Sequence, residues 1–201
     1  MNDDINTEEK ILNAARQVFV EKGFDGTRMQ EIADTAGMNK ALLHYYFRSK
    51  DKLFMKIFEV TFKQFVPKMS GIFSAETSFM DKIQLFISGY IDLLDKNPYI
   101  PLFILREITR NPNVIKELVM DKFEIIYNVI DLNVKTEIQA GRIRDIDTKH
   151  LILNTISMCI FPFVGKPLLK HLFKTNDEEY RAMLFERKKV VFEVIQKWIS
   201  I

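Results

Sequence analysis

Residues 27–50 constrain the fold of this chain most, because they predict two short helices joined by a tight turn. Thr27 has a hydroxyl suited to an N-cap, and Gln30 follows three residues later, as in a capping box. Gly37 then predicts the end of the first helix, since glycine adopts the backbone conformation of such a stop at little cost.

The second helix is predicted over residues 39–46. Leu43 and Phe47 lie four residues apart, so they share the face that packs against the preceding helix. Two helices joined by a short turn that contains glycine are typical of a helix-turn-helix motif.

The charge distribution agrees with a nucleic-acid partner. The net charge is only +2, but residues 28–56 contain six Lys or Arg against three Asp or Glu, whereas residues 1–27 contain three against six. Basic side chains are therefore concentrated in the helix-turn-helix region, where a DNA-binding protein needs them.

A cytoplasmic protein without a membrane span is predicted. The single cysteine, Cys159, excludes an intramolecular disulfide, and the N-terminus has no early apolar run. The longest uncharged run, residues 151–165, is shorter than the roughly 18 apolar residues of a membrane helix. We interpret it as a buried helix in which Cys159 is an unreactive core residue.

No enzymatic site is predicted, and neither a cofactor nor a metal is expected. The three histidines, at positions 44, 150 and 171, do not form a His-Glu-x-x-His motif. With seven glycines in the whole chain, no glycine-rich phosphate loop is present.

Apolar spacing and capping residues predict an all-α chain of about nine helices. Besides the pair above, the helices cover about residues 7–23, 50–65, 78–96, 98–109, 112–139, 147–163 and 176–201. Gly23 is the predicted stop of the first helix, and the predicted N-caps of later helices are Ser49, Ser78, Asp147 and Asn176. Pro67 is predicted to follow the end of the fourth helix, and residues 69–78 are the best candidate linker. The adjacent Arg106 and Glu107 could form a buried pair, a surface pair or a link to the DNA-binding module, of which the surface pair is favoured.

A homodimer is the simplest way to cover the helix over 147–163, which is apolar on nearly every side. Together with the helix over 176–201, it would form a four-helix interface between two subunits.

The N-terminal quarter resembles the TetR family of bacterial transcriptional regulators. The resemblance is carried by Glu31-Ile32-Ala33 and Ala36-Gly37-Met38, then Leu43-His44-Tyr45-Tyr46-Phe47, then Ser49-Lys50-Asp51-Lys52-Leu53-Phe54. It implies a DNA-binding domain over residues 1–50, a connecting helix over 50–65, and a helical domain over 51–201 for effector binding and dimerisation.

The resemblance also implies which residues contact double-stranded DNA. Lys40 and Ala41 would enter the major groove, with Leu42 and Gln30 beside them. Phosphate contacts would come from Arg28, Asn39, His44, Tyr45, Tyr46 and Lys50. His44 departs from the family, which usually has tyrosine at this position. Among the base-reading residues, lysine can donate to guanine, whereas alanine and leucine can only touch a thymine methyl group.

The seventeen phenylalanines favour a small, largely apolar effector such as a lipid, an aromatic compound or a drug-like cation. Candidate pocket residues are Phe86, Tyr90, Phe103, Phe123, Tyr127, Met158 and Phe161, although each is also an ordinary core residue by type. We therefore expect a homodimeric repressor that an effector releases from a palindromic operator. The alternative is an all-α architectural DNA-binding dimer without an effector.

Overall fold

The computed structural model describes the backbone of residues 2–110 and 112–201, and the side chains of residues 6–109 and 123–201. This part of the chain forms ten α-helices and contains no strand, which confirms the predicted all-α class. The helices are α1 (Asn2–Gly26), α2 (Met29–Thr35), α3 (Lys40–Tyr46), α4 (Lys50–Ser74), α5 (Phe79–Lys96), α6 (Ile100–Arg110), α7 (Pro112–Gln139), α8 (Thr148–Val164), α9 (Lys166–Phe173) and α10 (Asp177–Ile199).

The helix that was not predicted is α9. Its eight residues follow α8 directly after Gly165, with Pro167 in the first turn, where the missing N–H of proline is tolerated. Gly165 and the two flanking prolines predict the end of a helix, but they do not show that a new one begins at once.

The chain forms two compact units. Unit 1 contains Met1–Gln64 and Asn97–Phe103, and unit 2 contains Phe65–Lys96 and Ile104–Ile201. The helix α4 contributes residues to both units. The expectation of separate domains over 1–50 and 51–201 stays a prediction.

Unit 1 packs α1, α2 and α3 against the first half of α4 around an aromatic core. The rings of Phe54 and Phe103 stack with centroids 3.7 Å apart, and Phe24 contacts both. Phe24 reaches this core because Gly23, at φ 68° and ψ 175°, breaks the regular α1 helix just before it. Gly23 was predicted to stop this helix, and the break confirms it.

The helix α4 continues through Pro67 to Ser74, so the predicted end before Pro67 and most of the predicted linker are wrong. Proline removes one hydrogen bond of the helix, to the carbonyl of residue 63, but its fixed φ is compatible with a helical path. Outside the helices, only residues 75–78 remain as a link to α5.

Unit 2 is built on the contacts of α5, α8 and α10. Pro162 lies inside α8 and cannot donate to the carbonyl of Met158, as a helical N–H would. Arg187 of α10 donates to this carbonyl from Nη2 at 2.9 Å, and the buried Tyr180 hydroxyl donates to the carbonyl of Pro162 at 2.6 Å. These two side chains of α10 satisfy the backbone groups of α8 that the proline and the helix end leave free.

Cys159, Glu107 and the apolar residues of α8 differ in how deeply unit 2 buries them. Cys159 is buried, and burial raises the pKa of its thiol to about 12, so the neutral thiol is strongly favoured at neutral pH. Glu107 is also buried, which makes the expected surface position wrong for this residue. The helix α8 is apolar on nearly every side, yet Leu153 and Phe161 remain exposed.

No single helix among the described residues is long and apolar enough to cross a bilayer. Taken together, α8 and α9 have the length and apolar composition, but they are bent by 76° relative to each other.

Replacing Tyr180 by phenylalanine should destabilise unit 2. The ring keeps its packing, but the carbonyl of Pro162 loses the hydroxyl donor in a buried place, which costs about 1–3 kcal/mol. Urea denaturation followed by circular dichroism measures the change, with Tyr45→Phe as the control because Tyr45 is 82% exposed. Equal stability of both variants and the parent would contradict this role of the hydroxyl.

Candidate nucleic-acid interface

The start of α2 differs from the prediction by one residue. The N-cap is Arg28, and its backbone N–H donates to the Glu31 carboxylate at 2.9 Å. Thr27 is buried, and its hydroxyl donates to the carbonyl of Gly23 at 2.6 Å. The predicted cap, Thr27 with Gln30, is therefore wrong, because the threonine hydroxyl bonds to the carbonyl four residues before it, at the break in α1.

Glu31 also connects α2 to α1 through an ion pair with Lys22 of 2.6 Å. The hydrogen bond from Lys22, and then that from the backbone of Arg28, lower the pKa of Glu31 below its ordinary value of 4.5. Because the pKa is lowered, the contacts of the Glu31 carboxylate stabilise the fold at pH values above the ordinary pKa of this group. This stabilisation is lost as the pH falls through the pKa of the folded state. The contact is therefore intact at neutral pH.

The turn between α2 and α3 agrees with the predicted helix-turn-helix motif. Gly37 has φ 65°, and the N–H of Met38 donates to the carbonyl of Ala33 at 3.0 Å. The Asn39 side chain caps α3 by accepting from the N–H of Leu42 at 2.8 Å. Leu43 and Phe47 are buried, as their spacing predicted.

The opposite face of α3 is available to a partner. Lys40, Ala41 and Leu42 are exposed in its first turn. Tyr45 projects from the same helix with 82% of its surface exposed, and its ring meets that of Tyr46 edge-on at 5.5 Å. A short helix with exposed polar and apolar side chains at its N-terminal end matches the geometry by which recognition helices enter the major groove.

The remaining predicted DNA contacts differ in their surroundings. Arg28 and Asn39 are exposed, and His44 is half-buried. The Gln30 amide is exposed and donates to Asp34 at 2.8 Å within α2, so one of its two N–H donors is already used. The ammonium of Lys50 donates to backbone carbonyls of residues 24 and 27. All of these DNA contacts stay predictions.

The predicted effector-pocket residues are divided between the two units. Phe103 belongs to unit 1, where it stacks in the aromatic core. In unit 2, Phe86 and Tyr90 stack with centroids 5.9 Å apart, and burial raises the pKa of Tyr90. Tyr127 and Met158 are half-buried, while Phe123 and Phe161 are exposed.

A cavity of about 360 Å³ lies elsewhere in unit 2. It is lined by none of the seven predicted pocket residues and includes the ion pair of Arg142 with Glu137. Within the described residues, no group of three or more His, Cys, Asp or Glu side chains is placed to hold a metal ion.

Comparison with known proteins supports the interpretation of α1 to α4. Residues 11–57 match the family model described as "Bacterial regulatory proteins, tetR family". The N-terminal part of the chain therefore resembles the TetR family. Across 200 residues the chain is 24% identical to the probable HTH-type transcriptional regulator YttP of Bacillus subtilis, covering 97% of this chain and 93% of that protein.

Solved structures show that the fold extends over the whole chain. A TetR transcriptional regulator from Chloroflexus aurantiacus matches with a TM-score of 0.71 and 19% identity, covering 100% of both chains. The transcriptional regulator FadR from Bacillus subtilis, in complex with stearoyl-CoA, matches with a TM-score of 0.65 and 18% identity, covering 93% of this chain and 96% of that chain.

Proposed function

We propose that this protein is a cytoplasmic, homodimeric repressor of the TetR type, which binds a palindromic operator through α3 and is released by a small, largely apolar effector. The observation that carries the proposal is the exposed first turn of α3, held in place by a buried Leu43 and a capped N-terminus. Such a helix is both rigid and accessible, as base reading requires.

The side chains of this turn support a limited sequence code. Lys40 is the best base-reading candidate, because its ammonium can donate to guanine O6 or N7. Ala41 and Leu42 offer only apolar contact to thymine methyl groups, and Asp34 already engages one amide donor of Gln30. Arg28, His44, Tyr45 and Tyr46 are proposed phosphate contacts, which fix the position of α3 without reading sequence.

A second copy of the chain is the proposed partner of α8 and α10. Leu153 and Phe161 of α8 are 60% and 55% exposed, and Val190 and Val194 of α10 are 40% and 48% exposed. Within each helix the two residues lie four or eight positions apart, so they share a face. A twofold axis through these faces would bury them in a four-helix interface. Two α3 helices bound to successive turns of DNA would lie roughly 34–36 Å apart.

Unit 2 is the proposed effector domain. Phe65 and Phe73 extend the aromatic stack of Phe86 and Tyr90, with neighbouring centroids between 5.8 and 5.9 Å. An apolar chain that separated these rings would be covered by them on both sides. Because the similar FadR structure contains stearoyl-CoA, we propose a long-chain acyl thioester as the effector class.

Lys40→Ala should relax the sequence preference of DNA binding, whereas Arg28→Ala should weaken binding to all sequences. A guanine contact contributes about 1–3 kcal/mol of discrimination, while each phosphate contact contributes about 0.9 to the slope of log K against log salt. The purified protein first selects operator sequences from random 30-base-pair duplexes. Fluorescence anisotropy then measures the affinity of each variant for a selected duplex at several salt concentrations.

The two variants serve as controls for each other. If both changed the selected sequence to the same extent, or both changed only the salt slope, the proposed division between base and phosphate contacts would be wrong. A folded dimer that selected no sequence and bound no duplex at low salt would refute operator binding itself.

Leu153→Glu should convert the dimer into a monomer, because a carboxylate at the proposed interface would be buried opposite its own symmetry copy. The matched control is Leu132→Glu on α7, since Leu132 is 67% exposed and Leu153 is 60% exposed. Sedimentation equilibrium should give a dimer for the parent and for the control. A dimeric Leu153→Glu protein would place the interface elsewhere.

Stearoyl-CoA should raise the melting temperature and release the selected duplex, while coenzyme A without an acyl chain should do neither. Saturation at 100 times Kd stabilises a protein by about 2.7 kcal/mol, which is easily detected in a thermal-shift assay. If no acyl thioester or other apolar compound stabilised the protein, a DNA-binding dimer without an effector would be the better description.

A further inference from the structure

Lys50, the first residue of α4, has an unusual position for a cation. Its ammonium Nζ lies 2.6 Å from the carbonyl oxygen of Phe24, 2.9 Å from that of Thr27 and 3.4 Å from that of Asp25. It also lies 4.5 Å from the centroid of the Phe24 ring. All of these groups belong to unit 1.

These contacts use the whole donor capacity of the side chain. A lysine ammonium has three N–H donors and no acceptor, and three carbonyls surround this one. The side chain is half-buried, whereas Lys40 and Lys52 on either side of it in the sequence are exposed. A DNA phosphate would therefore have to compete with hydrogen bonds that are already formed.

The carbonyls are available because α1 breaks at Gly23. Carbonyls at the C-terminal end of a helix lack intrahelical partners, and the negative end of the helix dipole favours a cation there. Thr27 satisfies the carbonyl of Gly23, and Lys50 satisfies those that follow. Lys50 is thus a tertiary C-cap for α1, contributed by α4.

The capped turn leads directly into the DNA-binding motif. Only Arg28 separates Thr27 from the first residue of α2, so the position of the turn determines where α2 begins. We propose that Lys50 is a positioning residue for DNA binding, which holds the turn before α2 against the start of α4 and makes no phosphate contact. This replaces the phosphate role that the family resemblance implied for it.

The first test compares the parent with Lys50→Met, which keeps the length of the side chain but removes its donors. The melting temperature should fall by on the order of 5 °C, since several hydrogen bonds to one charged group are lost. Affinity for the selected duplex should fall about tenfold at every salt concentration at which the variant is folded. The slope of log K against log salt should stay within about 0.5 of the parent, because no phosphate contact is lost.

The matched control for stability is Lys52→Met. It removes an exposed cation from the same first turn of α4, where the helix dipole acts equally, so its melting temperature should equal that of the parent. A fall as large as that of Lys50→Met would mean that charge alone matters, and it would overturn the proposal.

Lys50→Arg distinguishes a positioning role of Lys50 from a phosphate contact. Arginine binds phosphate at least as well as lysine, but its planar fork does not fit three carbonyls that surround one nitrogen atom. A positioning role predicts a lower melting temperature and weaker binding for this variant, again with an unchanged salt slope. Full affinity and stability of Lys50→Arg would instead indicate a phosphate contact and would overturn the proposal.

The salt slope decides between the two roles. A slope smaller by about 0.9 in Lys50→Met would also refute the positioning role, whatever the melting temperature. If Lys50→Met does not fold, Lys50→Arg carries the comparison. The inference rests on the proposed DNA binding by α3, but the melting temperatures are measured without DNA, so failure of the parent to bind DNA is a separate result.

Discussion

The backbone groups at helix ends are the constraint on which this all-α structure depends. Each helix end leaves N–H or carbonyl groups without an intrahelical partner, and their burial without another partner costs about 1–3 kcal/mol. Here they are satisfied in two ways. Local side chains cap the starts of α3, α8 and α10, whereas residues distant in sequence satisfy the break after α1 and the proline in α8.

The partners of these backbone groups also fix helices to each other within each unit. In unit 1, Lys50 and Thr27 close the turn after Gly23, and Glu31 connects α2 to α1 through Lys22. In unit 2, Arg187 and Tyr180 attach α10 to α8 at Pro162. In both places one backbone defect becomes the point at which two helices are fixed to each other.

Local chemistry was the reliable part of the sequence prediction. The caps at Ser49, Ser78, Asp147 and Asn176 were correct, because an N-cap needs only a short polar side chain and the N–H groups that follow it. The stops at Gly23 and Gly37 were correct for a similar reason, since a positive φ is a property of the residue itself. The motif residues that carry the TetR resemblance lie in this well-predicted region, which is why the family could be recognised.

Prolines and hydroxyls were less predictable, since their effect depends on what packs nearby. Pro67 lies inside a continuous α4 helix, and the Thr27 hydroxyl bonds to Gly23 in preference to capping α2. The candidate site shows the same limit. The helix-turn-helix and its exposed α3 face follow from the sequence, but the engagement of Gln30 by Asp34 and of Lys50 by backbone carbonyls does not.

The sequence alone thus determined the all-α class, most helix boundaries and the TetR-type DNA-binding motif, because spacing and capping act over a few residues. Tertiary structure decided which polar side chains are free to meet DNA and which are used internally. It also left Leu153 and Phe161 exposed on a helix whose composition predicted burial on every side. The physical reason is that a donor forms a hydrogen bond with the acceptor that folding places within about 3 Å of it. That acceptor often belongs to a residue far away in the chain.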